Sequence, residues 1–295
     1  MNVRPLLDGD LPMLEQAGGY AKLYGSNICK WMKSGYVEAA GCYVFEKDDA
    51  LLGGVCFHDD TEEDREILDF ALIDITPDGH EWLVRAVEQA AKPKTRKFSY
   101  NLYNDTEQFA DIKRLFGRAG FAVEQEKLQY VYDKPVPANH PNALSFKSVA
   151  DVGEGLFVEV VERVTVGSLD RLMVDDAAQL GSRQAAREYV DGLKGIDFNP
   201  DWWRLGYANG LLVGLILPQR FSDNDGCINY VGVVPEYRGR GYGLHLAAEG
   251  TRLLTENGIT KIYADIDIAN KPLAAILERL GYVFKMDEVV LARSL

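Results

Sequence analysis

The sequence predicts an α+β protein, an α/β sandwich in each of two similar domains, and three observations carry that prediction. One order of strands and helices can be read twice along the 295 residues, a proline-rich segment separates the two readings, and near-constant spacing relates their landmarks. In order, the first half opens with a strand over 3–8 and a helix over 11–16; the second opens with a strand over 146–149 and a helix over 152–163. Paired strands follow in both, 42–45 with 51–57 and 202–207 with 211–217, each pair joined over a short polar turn as a hairpin. The segment 67–77 (ILDFALIDITP) then parallels 228–235 (INYVGVVP), with Pro77 and Pro235 158 residues apart. RAGF at 118–121 parallels RLGY at 279–282, with Gly120 and Gly281 161 residues apart. Pro135, Pro137 and Pro141 interrupt any regular pattern, so the expected division is a domain over 1–134, a linker over 135–143 and a domain over 144–295.

The chemistry concentrates at 233–246 (VVPEYRGRGYGLHL), which reads as a strand, a glycine loop and a helix start. Gly239, Gly241 and Gly243 alternate with Arg238, Arg240 and Tyr242, so the backbone can turn tightly and approach a ligand. A helix over 244–257 would place unpaired N–H groups and the positive end of the helix dipole at this loop, which suits a phosphate. A dinucleotide fingerprint needs a third glycine where Leu244 stands, and a P-loop needs Lys and then Ser or Thr where Leu244 and His245 stand.

What fits is V-x-P-x-x-R-G-x-G-x-G, which resembles the acyl-CoA pyrophosphate loop of the GNAT N-acetyltransferase superfamily. The resemblance continues through the strand 261–267 (KIYADID), Asn270, and the helix 272–280 closing on Gly281 and Tyr282; it covers about half of the chain closely and the rest loosely. It implies a mixed, mostly antiparallel sheet flanked by helices in each of two GNAT-like domains. Two parallel strands, 228–234 and 261–266, would splay to take the pantetheine arm, with Val233 and Val234 offering main-chain groups, Arg238 to Gly243 holding the pyrophosphate and Asn270 beside them. Asn270 is equally suited to cap the following helix ahead of Pro272. In the first half, 78–85 (DGHEWLVR) has one glycine and no arginine pair, so that copy is expected to be degenerate.

Acetyl transfer to an amine needs a base to take the amine's proton and an acid to protonate the leaving thiolate. Strand alternation puts Tyr263, Asp265 and Asp267 on one face, and Asp265 lies where some amine-acetylating members carry a glutamate base; the alternative is a solvated carboxylate at a strand end. The family's usual acid, a tyrosine seven residues past the Asn, is replaced by Leu277, leaving Tyr230, Tyr263 or water. Cys227 as an acetyl acceptor lacks a nearby base to activate it, and a thiol on a strand is ordinarily packing.

A net charge of −13 argues against a nucleic-acid surface and favours a basic acceptor. Four cysteines without CxxC spacing and four scattered histidines predict neither disulfides nor a metal site. No apolar run reaches membrane-spanning length and no signal segment opens the chain, so a cytoplasmic protein is expected. The composite expectation is an acetyl-CoA-dependent N-acetyltransferase whose acceptor is an amine of a small molecule or an exposed amino group. Two other readings stand beside it: a non-catalytic acetyl-CoA-binding sensor or interaction protein, motivated by Leu277, and a nucleotide-binding regulator, motivated by the glycine loop alone. Acceptor identity and oligomeric state have no signature in the sequence; the acceptor pocket is expected among the loops and helices of 150–200 and the first domain.

Overall fold

The computed structural model describes residues 2–16, 19–59, 63–73, 79–134, 143–195 and 197–295, the side chains of 15–16 and 19–23 excepted. The expected linker, apart from residue 143, and the segment with Pro77 and Asp78 lie outside the described residues.

The elements run β1 (Asn2–Pro5), α1 (Asp10–Gln16), α2 (Gly19–Ser34), β2 (Cys42–Lys47), β3 (Ala50–Asp59), β4 (Asp64–Leu72), α3 (Gly79–Ala90), β5 (Lys97–Tyr103), α4 (Phe109–Arg118) and β6 (Ala122–Tyr132). They continue with β7 (Ser145–Ser148), α5 (Val149–Val152), α6 (Glu154–Thr165), α7 (Arg171–Leu180), α8 (Ser182–Lys194), β8 (Arg204–Ala208), β9 (Leu211–Arg220), β10 (Asp225–Val233), α9 (Tyr242–Glu256), β11 (Lys261–Asp267), α10 (Lys271–Leu280) and β12 (Val283–Ser294). The expected hairpins are β2–β3 and β8–β9, paired antiparallel. Gly153, at φ +79°, breaks the helix expected over 152–163, so α5 and α6 are separate. Trp202 and Trp203 precede β8 rather than opening it, and both are buried in apolar clusters.

The chain forms two compact units, Met1–Glu124 with Glu288–Leu295, and Gln125–Asp287. In the first, strands lie in the order β1-β2-β3-β4-β5-β12, with β4 and β5 parallel and the rest antiparallel. In the second, the order is β7-β8-β9-β10-β11-β6, with β10 and β11 parallel. Each unit is thus the same succession of strands around one parallel pair. The division differs from the one expected at 134 and 144. The strand after α4 pairs with β11, Ile262 opposite Tyr132 through Asp267 opposite Lys127, whereas the strand after α10 pairs with β5, Glu288 opposite Tyr103 through Ser294 opposite Lys97. Ladder hydrogen bonds are made by main chain, so the side-chain pattern that marks a strand does not say which sheet edge it joins.

Burial explains how the second unit presents its parallel pair. Ile262, Ala264 and Ile266 of β11 enter an apolar cluster with Leu246, Ala247 and Leu254 of α9 and Leu277 and Leu280 of α10. On the other face Phe157, Val161 and Val164 of α6 pack with Leu215, Leu217 and Tyr230. Glu249 of α9 is buried and paired with Arg204 of β8 and Arg252, at 2.9 Å each, so its charge is compensated.

Candidate functional site

Strands β10 and β11 pair only over Asp225–Lys261, Gly226–Ile262 and Cys227–Tyr263, although both run on to Val233 and Asp267. Beyond that point they part, and Asn229 sits in a bulge of β10 against β9. The gap opens into a cavity of about 600 Å³, lined by β10 from Ile228, β11 from Ala264, the loop and start of α9, α10, and the turn after α6. The Val234 N–H donates to Val213 of β9 at 3.0 Å, so by alternation Val233 and Val231 turn their main-chain groups toward the gap. Val234 itself is fully buried and does not line the cavity, so of the two expected valines only Val233 faces it.

The glycine loop is shorter than expected, because Tyr242 and Gly243 already belong to the first turn of α9. Gly241 is its N-cap at φ +83°, a left-handed conformation that glycine adopts freely, and a Cβ there would meet open space. The first turn of α9 contains no acidic side chain, leaving its N–H groups and dipole free of a competing carboxylate. Gly243 has a packing reason instead: a Cβ would lie 3.0 Å from Ile276 of α10. Arg238 lines the cavity, but its side chain is committed to carbonyls, donating from Nε to Val233 at 3.0 Å, from Nη1 to Gly167 at 2.9 Å and from Nη2 to Val164 at 2.7 Å. Arg240 is exposed, outside the cavity lining, with its guanidinium 5.2 Å from the Tyr237 ring centre.

Asn270 lines the cavity and is also the N-cap of α10, accepting the Leu273 N–H at 3.3 Å. Asp265 lines it too, opposite Gln129 of β6. Solvent reaches Asp265, yet the surrounding protein raises its pKa above the ordinary Asp value by desolvation, opposed by hydrogen bonding to Gln129 and by the Lys127 charge. Two further carboxylates escaped the sequence reading as site residues. Asp267 is buried and accepts from Gln125 Nε2 at 3.0 Å, the Arg171 N–H at 3.3 Å and the Ala269 N–H at 2.8 Å. Asp170 caps α7, accepts the other proton of the same Gln125 amide at 3.2 Å, and has a pKa raised chiefly by burial. Alternation on β11 already put Asp267 beside Asp265, and the Ser168–Asp170 turn carries an N-cap signal; Gln125, on a strand 45 residues before Asp170, carries none.

Leu277, which stands where the resemblance would put a tyrosine, is fully buried in the cavity wall. Of the alternatives, Tyr263 lies outside the lining under Lys261, whose Nζ is 4.9 Å from its ring centre, whereas Tyr230 lines the cavity. The Tyr230 hydroxyl is buried without a partner in hydrogen-bonding geometry among the described residues, the nearby Thr165 hydroxyl donating instead to Val161 at 2.9 Å. Burial pushes the Tyr230 pKa up to about 12. The Cys227 thiol is likewise pushed up to about 12 by burial, which disfavours the thiolate, and it does not line the cavity. Among the described residues no group of three or more His, Cys, Asp or Glu side chains is arranged to hold a metal ion, and no helix is long and apolar enough to cross a membrane.

Residues 200–282, spanning β8 through α10, match the family model for the acetyltransferase (GNAT) family. No curated protein matches the chain by sequence. Among solved structures, a GCN5-related N-acetyltransferase from Sphaerobacter thermophilus superposes with a TM-score of 0.64 at 17% identity, covering 99% of this chain and 95% of that one. A tandem GNAT protein from the clavulanic acid biosynthesis pathway superposes at 0.54 with 14% identity, over 99% and 98%. A GCN5-related N-acetyltransferase from Kribbella flavida gives 0.54 at 16% identity, over 81% and 86%. At these identities the likeness is one of fold.

Proposed function

We propose, from the match of residues 200–282 to the acetyltransferase (GNAT) family model and from the likeness of fold to a tandem GNAT protein, that the second unit of this chain transfers the acetyl group of acetyl-CoA to an amine. The observation that carries this reading is the cavity where β10 and β11 part, because a helix N-terminus, the edge of a strand that has left its parallel partner and three carboxylates all line it. The N–H groups at the start of α9 would hold the pyrophosphate, and the edge of β10 at Val231, with the Val233 N–H, would bind the pantetheine amides as a partner strand does. An amine arrives protonated at neutral pH, and Asp265, Asp267 and Asp170 favour that cation. Asp265, which solvent reaches, then takes the proton directly or through water. The neutral amine attacks the thioester carbonyl, a C–N bond forms, and the C–S bond breaks. The acylated nitrogen sheds its second proton to solvent as the amide forms, and the departing thiolate takes one from water or from Tyr230, which is reprotonated from solvent; Tyr230→Phe separates the two, a retained rate assigning the proton to water.

We place the functional division at the boundary between the two units. The first unit, without an arginine-glycine loop at the start of α3 and with Glu81 in that helix's first turn, is proposed as a degenerate copy without a second acetyl-CoA site. Non-catalytic acetyl-CoA binding is the second reading, favoured by Leu277 in place of a proton donor. Acetyl-CoA-dependent thiol release across a panel of monoamines, polyamines, aminoglycosides and peptides decides between them. Release with at least one amine supports transfer, and tight binding without any release supports the sensor.

A further inference from the structure

We propose that Arg238 is a positioning residue rather than a phosphate ligand: it ties the glycine loop to segment 166–170, which forms another part of the same cavity wall. The proposal concerns the site assigned above and rests on that assignment only where acetyl-CoA is the probe.

Arg238 spends its fork of donors on three carbonyls, Val233 at the end of β10 and Val164 and Gly167 at the end of α6. These are acceptors that need it. The last carbonyls of a helix have no partner within the helix, and at the end of α6 Arg163 is met by the Val166 N–H and Thr165 by the Ser168 N–H, whereas the Val164 carbonyl is met by Arg238. A cation at a helix C-terminus also complements the dipole. The docking beneath it is tight: a Cβ on Gly232 would stand 2.1 Å from Val164, so only glycine lets α6 end directly on β10. Swinging Arg238 onto a phosphate would strip the carbonyls of Val164 and Gly167 at once.

The segment it holds leads to Asp170, which caps α7 and shares the Gln125 amide with Asp267. A continuous run of bonded groups therefore joins the loop at the start of α9 to the carboxylate side of the cavity. Order in one should be felt in the other, a coupling that is reciprocal by linkage. Phosphate attraction is left to the α9 N-terminus and to Arg240, which faces solvent.

Hydrogen exchange at 166–170 and calorimetric acetyl-CoA affinity, measured on the full chain, test this with Arg238→Ala, Arg238→Lys and Arg240→Ala. Lysine keeps the charge that a phosphate needs but not the three-pronged fork, so both Arg238 variants should speed exchange at 166–170 about tenfold while changing affinity less than about threefold. Arg240→Ala should do the reverse, weakening acetyl-CoA about tenfold with exchange unchanged. Added acetyl-CoA should slow exchange at 166–170 in the wild type and not in Arg238→Ala. Unchanged exchange in Arg238→Ala, full rescue by lysine, or equal slowing by acetyl-CoA in both proteins overturns the proposal. A wild type that does not bind acetyl-CoA refutes the functional assignment instead, and the exchange comparison without ligand still decides the clamp; if Arg238→Ala does not fold, Arg238→Lys carries the same comparison.

Discussion

Where the parallel strands part in the first unit, three aromatic rings fill the space; where they part in the second, there is a cavity. Counting from the first parallel pairs and from the turns at Gly120 and Gly281, Phe70, Tyr100 and Phe116 of the first unit correspond to Val231, Ala264 and Leu277 of the second. Phe116 is fully buried, stacked on Tyr100 at 4.5 Å between ring centres and edge-on to Phe70 at 5.3 Å. The three smaller side chains all line the cavity of the second unit. Strand order is shared, and the parallel pairing runs only one position further in the first unit, through Ile67 opposite Tyr100, so a gap is not a property of the fold alone. It depends on how much side chain the sequence puts into it.

The largest effect expected from this contrast is one of stability. Phe116→Ala removes the ring that the other two pack on and should cost about 3–5 kcal/mol, read as a lower Tm, with acetyl-CoA affinity of the folded chain unchanged. Binding of a second acetyl-CoA by that variant would mean that the rings alone had closed the first site. The converse change, Ala264→Tyr with Leu277→Phe, moves the first unit's rings into the second. At about 1–3 kcal/mol for each overpacked position it should weaken acetyl-CoA about a thousandfold, while far-ultraviolet dichroism stays that of the wild type. Unaltered affinity in a folded double variant would place the ligand elsewhere. The same titrations should find one acetyl-CoA per wild-type chain.

Smaller effects sharpen the account of the second unit. Asp265→Asn should lower kcat about a hundredfold with acetyl-CoA affinity nearly intact, since the amide keeps the shape but takes no proton. Desolvation raises the Asp265 pKa, so the carboxylate is protonated, and lost as a base, at a higher pH than an ordinary Asp as the solution is acidified. The acid limb of kcat/KM should therefore lie above the usual Asp range and vanish in Asp265→Asn; a limb that persists in the variant assigns the base to another group. Gly241→Val forces a β-branched residue to φ +83° at the N-cap of α9 and should cost about tenfold in acetyl-CoA affinity by calorimetry.

Much of this protein follows from local pattern. The hairpins β2–β3 and β8–β9, the strand β11 and the helix α10 with Asn270 at its cap form where alternation, helical spacing and capping residues agree. The glycines ahead of α9 fix the left-handed turn at that helix start, because their effect is on the backbone itself. Tertiary structure decided what depends on partners far away in the chain. The strand after α4 pairs with β11 and the strand after α10 with β5, a choice made by main-chain ladders that side-chain periodicity does not encode. Gln125 comes within hydrogen-bonding distance of Asp170 and Asp267 only through that pairing. Arg238, which the motif marks as a phosphate cation, meets the carbonyls of Val164 and Gly167 because Gly232 lets α6 settle on β10. A motif fixes the donor a residue carries; packing fixes the acceptor it finds.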